Sequence, residues 1–161
     1  MDTDRATKVQ QAMESNRPPA EIYRFWRALE NLPRVMTHLE SVQVLDDRVS
    51  HWVMKLIPGA PRVESDAEII NEVENQRIGW RSLHESDLDH AGSVEFKPIG
   101  DGQRTGLTVT LQYELPGGTL GGTIGKWFGG DPSNTLAADL QRFKEHMEAG
   151  ILSMPDNHAL I

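Results

Sequence analysis

Apolar residues recur along this chain with two different periods. Near the start, Val9, Gln11 and Met13 alternate with Lys8, Gln10 and Ala12, a strand pattern over 6–13 that stops at Asn16-Arg17-Pro18-Pro19. Beyond the prolines, Ile22, Phe25, Trp26 and Leu29 fall at i, i+3, i+4 and i+7, the stripe of a short helix with proline in its first turn. Asn31-Leu32-Pro33 predicts a second short helix that carries Leu32, Val35, Met36 and Leu39 and ends before Ser41. The period then drops to two. Val42 and Val44 lead to a turn at Asp46-Asp47, and Trp52, Met54 and Leu56 alternate with His51, Val53 and Lys55 to complete a hairpin. After Pro58-Gly59-Ala60-Pro61, the residues Val63, Ser65, Ala67 and Ile69 face one way and Glu64, Asp66 and Glu68 the other. The same alternation continues through Ile78, Trp80 and Ser82, through Val94 and Phe96, and through Leu107, Val109, Leu111 and Tyr113. Polar turns at 84–90 and 100–104 separate these runs, so one sheet face is apolar and the other wet, the mark of an antiparallel meander.

The last stretch, 117–150, returns to helical spacing. Leu120, Ile124, Trp127 and Phe128 form one apolar group, and Leu136, Leu140, Phe143 and Met147 a second, with Gly129-Gly130-Asp131-Pro132 between them. This predicts a glycine-rich lead-in helix, a break, and a long amphipathic helix begun by Asp131-Pro132, stopped by Gly150 and laid over the apolar sheet face. Residues 153–161, with Pro155 and little periodicity, read as a flexible tail after a single domain of residues 1–152.

Composition narrows the function more than the fold. The chain has 161 residues, 38% hydrophobic and 25% charged, and a formal charge of −8. It lacks the cationic stripe that displaces counterions from a phosphate backbone, so nucleic acid and anionic membrane surfaces are poor partners. The absence of Cys excludes disulfides, thiolate catalysis and Cys-based zinc sites. The polar start MDTDRATK has no signal-peptide core, and no apolar run of about 18 residues could span a bilayer, so a cytoplasmic protein without stable membrane insertion is expected.

The order strand, two short helices, six-stranded meander and long terminal helix is that of the helix-grip fold. The segments AEIYRFWRALENLPRVMTHLESVQVLDD, HWVMK, IGWRSL, GSVEF, TVTLQYELPGG and DLQRFKEHMEAG resemble bacterial members of the SRPBCC superfamily, of the polyketide cyclase/dehydrase or coenzyme-Q-binding START type. The resemblance covers roughly residues 6–150. It implies an α+β helix-grip domain, a curved antiparallel sheet of about seven strands around the C-terminal helix, with a hydrophobic small molecule or lipid between them. Ser65 stands where a large aromatic is expected, which would enlarge the cavity, and the glycines run on through Gly121, Gly122 and Gly125.

On that reading the cavity is lined by Trp52, Met54, Ser65, Trp80 and Phe96 from the middle strands and by Leu111 and Tyr113 from the last. Phe128, Leu140 and Phe143 line it from the C-terminal segment. Gly117, Gly121, Gly125 and Gly129 recur every four residues, a side-chain-free ridge that, with Trp127, reads as an entrance lid. Its helix would forgo about 1 kcal/mol per glycine against alanine. Nucleophilic catalysis finds no support: there is no G-x-S-x-G elbow and no Ser-His-Asp set with suggestive spacing. HESDLDH, with His84, Glu85, Asp87, Asp89 and His90, reads as a solvated turn, its spacing matching no zinc motif, and GGTLGGTIGKW lacks the phosphate-loop pattern; no metal or cofactor is expected. His38 and His51 could titrate near neutrality, although inward His51 conflicts with an inward Trp52.

The expected function is binding of a quinone, polyketide or acyl-chain ligand as carrier, chaperone or sensor. One alternative is a cyclase or dehydratase acting on a poly-ketone, with Tyr113 as proton donor and cavity shape as the main catalyst. A further alternative is an interaction module with a filled core, whose partner includes a second copy of the chain.

Overall fold

Alternating inward and outward side chains build seven strands in the computed structural model, which describes residues 7–55, 61–83, 89–114 and 132–150. The strands are β1 (Thr7–Ser15), β2 (Leu39–Val44), β3 (Val49–Met54), β4 (Val63–Val73), β5 (Arg77–Ser82), β6 (Asp89–Ile99) and β7 (Arg104–Glu114). They form one antiparallel sheet in the order β1-β7-β6-β5-β4-β3-β2, curled into a half-barrel. Helix α1 (Pro19–Arg27) and a 3-10 helix (Leu29–Arg34) follow β1, and α2 (Pro132–Glu148) follows β7. This is the helix-grip arrangement that the order of patterns implied.

Local chemistry explains the turns. Asp46 accepts hydrogen bonds on one carboxylate oxygen from the backbone N–H groups of Arg48 (2.8 Å) and Val49 (2.9 Å), which folds the β2–β3 hairpin. Asn75, at φ 65°, makes the β4–β5 turn, a left-handed position that asparagine tolerates better than most residues. Gly150, at φ 79°, ends α2 as its Cβ-free backbone allows.

Three expectations change. The second helix is a 3-10 helix that begins at Leu29 and ends at Arg34, and Leu39 belongs to β2. Pro33 lies inside that short helix and lacks the N–H needed to lengthen it. A register shift between Leu39 and Ser41 then turns both Leu39 and Val42 inward, while Val44 remains 43% exposed. His90 does not lie in a turn: β6 starts at Asp89, and His90 is buried on the inner face. The lead-in helix and the tail lie outside the described residues.

Two sets of contacts hold the helices to the sheet. Phe143 of α2 packs against Phe25 and Trp26 of α1, at ring-centroid separations of 5.3 and 5.6 Å. On α1, Tyr23 donates to Glu72 of β4, and Arg27 Nε lies 2.8 Å from the same carboxylate. Burial, then Glu72, push the Tyr23 phenol up to about 12, so it stays a donor.

Gly92 faces inward beneath the indole of Trp80, and a Cβ built there would lie 2.3 Å from Trp80 Cζ2. Trp80 is itself 3% exposed, so the ring has little room to retreat. Gly92→Ala should therefore lower the unfolding free energy by about 1–3 kcal/mol, the usual range for overpacking, and shift tryptophan emission. Urea denaturation followed by fluorescence checks this; unchanged stability would show that Trp80 can move freely.

Candidate functional site

Strand register gathers one row of inward side chains at a single end of the sheet. Trp52 pairs with Ser65 across β3 and β4, and His90 pairs with Tyr113 across β6 and β7. Between them, the backbone N–H of His90 donates to Ser82 Oγ at 3.0 Å, joining β6 to β5. From this end depart the connections 56–60, 84–88 and 115–131, which lie outside the described residues.

The row is aromatic and polar at once. Trp52 lies 5.6 Å from Trp80 and 5.1 Å from the His90 ring, and His90 lies 6.4 Å from the Tyr113 ring at an interplanar angle of 24°. Trp52 Nε1 donates to buried Ser50 at 2.8 Å. His90 Nε2 lies 3.1 Å from Ser65 Oγ, and the Ser65 hydroxyl donates to the Asp66 carbonyl at 3.4 Å. The Tyr113 hydroxyl and His38 Nε2 are 2.6 Å apart. Both histidines are 5% exposed, Tyr113 4% and Ser65 2%.

Helix α2 adds a carboxylate. Asp139, 2% exposed, accepts from the Thr37 backbone N–H at 3.2 Å, and its other oxygen lies 3.2 Å from Arg142. Arg142 also donates to the Val35 carbonyl at 2.6 Å. A cavity of about 10 Å³, room for a single water, lies among Val9, His38, Leu111, Tyr113, Leu136 and Asp139.

Burial sets the protonation of this interior. It pushes His90 down to about 4 and His38 to about 3, the second also lowered by the neighbouring His90. Burial and then the Asp139 carboxylate push the Tyr113 phenol far up, and burial raises Asp139 against the hydrogen bonds from Thr37 and Arg142. At neutral pH the row therefore presents two neutral imidazoles, a phenol and hydroxyls.

Of the residues expected to line a cavity, Trp52, Ser65, Trp80 and Tyr113 stand together with His90, and Leu111 and Tyr113 border the small cavity. Met54 is fully buried one inward position beyond Trp52 on β3. Phe143 instead packs on α1, and Leu140 is buried one turn before it on α2. Phe96 lies toward the other end of the sheet, 5.7 Å from Tyr23. There it borders an open groove of about 580 Å³ between Pro18–Ala20 and the outward Arg77, Glu95 and Lys97. Phe128, Gly117, Gly121, Gly125 and Trp127 lie outside the described residues, as do His84, Glu85 and Asp87. His51 faces outward, with Nδ1 2.6 Å from Asp66 and Nε2 2.7 Å from Glu64; hydrogen bonds to Asp66 and then Glu64 raise its pKa.

The sequence pattern overlooked His90 and Asp139 as inner groups. Continuing the parity of Val94 and Phe96 back through Gly92 reaches His90, and Asp139 falls three residues after Leu136 on the buried stripe of α2.

Comparison with known proteins follows the same lines. The family model for polyketide cyclase/dehydrase and lipid transport matches residues 15–141. The chain is 27% identical over 142 residues to the uncharacterized 17.2 kDa protein in the melC2-rnhH intergenic region of Streptomyces lincolnensis, covering 88% of this chain and 90% of that protein. Among solved structures, it is similar to DR_A0006 of Deinococcus radiodurans, at 35% identity and a TM-score of 0.75, covering 89% of this chain and 98% of that one. A START superfamily protein of Mycobacterium smegmatis shares the fold at 13% identity, TM-score 0.64, over 89% of this chain and 96% of the other.

The histidines dictate how stability changes with pH. His90 and His38 have folded pKa values of about 4 and about 3, below the ordinary 6.5, so the unfolded chain takes up their protons first. Their contribution is complete above pH 6.5 and lost as pH falls toward 4 and then 3. His51 has the opposite sign: its contribution is complete below pH 6.5 and lost as pH rises through its raised value. Urea denaturation from pH 8 to 4.5 should therefore show a falling acid limb that flattens in His90→Phe, and a decline above about pH 6.5 that vanishes in His51→Gln. An acid limb unchanged in His90→Phe would mean that His90 is not held neutral by burial.

Proposed function

The chain belongs to the polyketide cyclase/dehydrase and lipid transport family, and from that premise we propose that it binds a hydrophobic small molecule or lipid between the inner sheet face and α2, as a carrier, chaperone or sensor. The observation that carries this reading is the buried row Trp52–Ser65–His90–Tyr113, in which aromatic surface and neutral hydrogen-bonding groups share one end of the sheet. Aromatic walls gain from burying apolar ligand surface at roughly 25 cal/mol per Å², while a few polar groups fix its orientation. The proposed lining is Trp52, Met54, Ser65, Trp80, Leu111 and Tyr113.

Binding fits this interior better than acid–base catalysis. A general acid or base works best with a pKa near the working pH, whereas His38 and His90 are pushed well below it and Tyr113 well above. A cyclase would have to rely on holding a poly-ketone in one folded pose, with Tyr113 as its donor.

Native mass spectrometry of gently purified protein, followed by organic extraction, should find one hydrophobic molecule per chain. With that molecule as probe, Trp80→Ala should weaken binding about ten-fold, about 1.4 kcal/mol, while Tyr113→Phe changes it little. If Tyr113→Phe abolishes conversion of the molecule with binding intact, the cyclase reading replaces this one. A reproducibly empty protein, inert toward hydrophobic ligands, would instead indicate a filled core.

A further inference from the structure

We propose that this inner face takes a neutral, hydroxyl-bearing hydrophobe, held by a hydrogen bond from the ligand hydroxyl to His90 Nδ1, and that it rejects carboxylates. The inference rests on the ligand-binding reading above and names the ligand class for the same site.

Two observations carry it. The first is the bonding of His90. With the Ser65 hydroxyl donating to the Asp66 carbonyl at 3.4 Å, Ser65 Oγ is left to accept from His90 Nε2 at 3.1 Å, and in that tautomer the ring's other nitrogen carries a lone pair. His90 is 5% exposed, and among the described residues its side-chain hydrogen bond falls on Nε2, with none on Nδ1. An acceptor with so little access to water gains from a donor that arrives with a ligand. The flanking surfaces are the rings of Trp52, at 5.1 Å, and Tyr113, at 6.4 Å, so the donor must be carried on an apolar, preferably planar, body.

The second observation is the charge of the interior. Among the described residues no Lys or Arg is buried, and the buried charged group is an acid, Asp139. Arg142, the basic side chain nearest to it, is committed to Asp139 and to the Val35 carbonyl. A carboxylate brought here would lose its hydration and find no buried cation among the described residues, which is far more costly than burying a hydroxyl that finds its acceptor. The same skeleton carrying O–H in place of COO⁻ keeps the apolar gain and loses the penalty.

Isothermal titration calorimetry at pH 7.5 with 2-naphthol, 2-naphthoate and naphthalene, and with 1-dodecanol and dodecanoate, tests this directly. In each skeleton the hydroxyl compound should bind at least ten-fold more tightly than the carboxylate. In His90→Phe, which keeps a planar ring, 2-naphthol should fall to the affinity of naphthalene while naphthalene binding is retained. Ser65→Ala, which frees the His90 tautomer without adding volume, should reduce the hydroxyl preference several-fold and serves if His90→Phe does not fold. Carboxylates bound as tightly as alcohols, or a hydroxyl preference that survives both substitutions, would overturn this inference and leave ligand binding standing. Failure of every compound to bind the folded wild-type protein would overturn the ligand-binding reading, and this inference with it.

Discussion

The junction of Phe143 with Phe25 and Trp26 is the contact on which the grip depends. A curled antiparallel sheet with one apolar face cannot leave that face in water, and α2 covers it only if something fixes the helix across the strands. Phe143 supplies the fixing point by entering the aromatic surface of α1. Helix α1 is in turn tied to the sheet through Tyr23 and Arg27 on Glu72. The chain of contacts runs from α2 through α1 to β4, so the position of the long helix is decided at its C-terminal half. Glu148 reinforces that end by accepting from the backbone N–H of Asn16 at 3.0 Å.

This arrangement divides the interior into two chemistries. Around Phe143 it is mainly aromatic and aliphatic: Phe25, Trp26 and Ile22 are essentially fully buried. Toward Tyr113 it becomes polar, with His38, His90, Ser65 and Asp139 all buried. Buried polar groups seldom stabilise a fold more than well-packed apolar ones do, so two histidines, a tyrosine and an aspartate gathered in one region ask for a reason beyond folding. Binding sites are where such groups gather, because a few polar groups on an apolar wall orient a ligand.

The sheet was legible because its signal is repeated. Strict alternation in Leu107, Val109, Leu111 and Tyr113 leaves only one face for the core, and β3 and most of β4 follow the same rule. The 3-10 helix was not, because its periodicity is read over six residues and Pro33 looks as much like a helix start as a limit on its length. His90 was hidden by its neighbours: in HESDLDH the acidic and polar residues have the composition of a turn, and the strand parity behind Val94 passes through Gly92, which shows no side chain. Asp139 was hidden differently, since a charged residue on a helix is normally assigned to the wet face, and only the spacing from Leu136 to Phe143 reveals that it stands inside. Polar site residues break the pattern that makes the fold readable.

The uneven anchoring of α2 links the fold to its proposed use. Its C-terminal half is held by aromatic packing, which has no alternative partner in water. Its N-terminal half buries Leu136 and Leu140 and adds polar contacts, Gln11 of β1 to Ser133 at 2.8 Å and Thr37, just before β2, to Asp139 at 3.2 Å, and the 10 Å³ cavity lies beside it. Polar contacts exchange with water at small net cost, about 0.5–1.5 kcal/mol each, whereas withdrawing Phe143 would expose a whole ring at about 3–5 kcal/mol by analogy with its truncation. On the proposed reading, α2 yields first at the end where the neutral, hydrogen-bonding row stands. Opening space for a ligand beside Tyr113 and His90 would then leave the aromatic end to keep the sheet and helix in register.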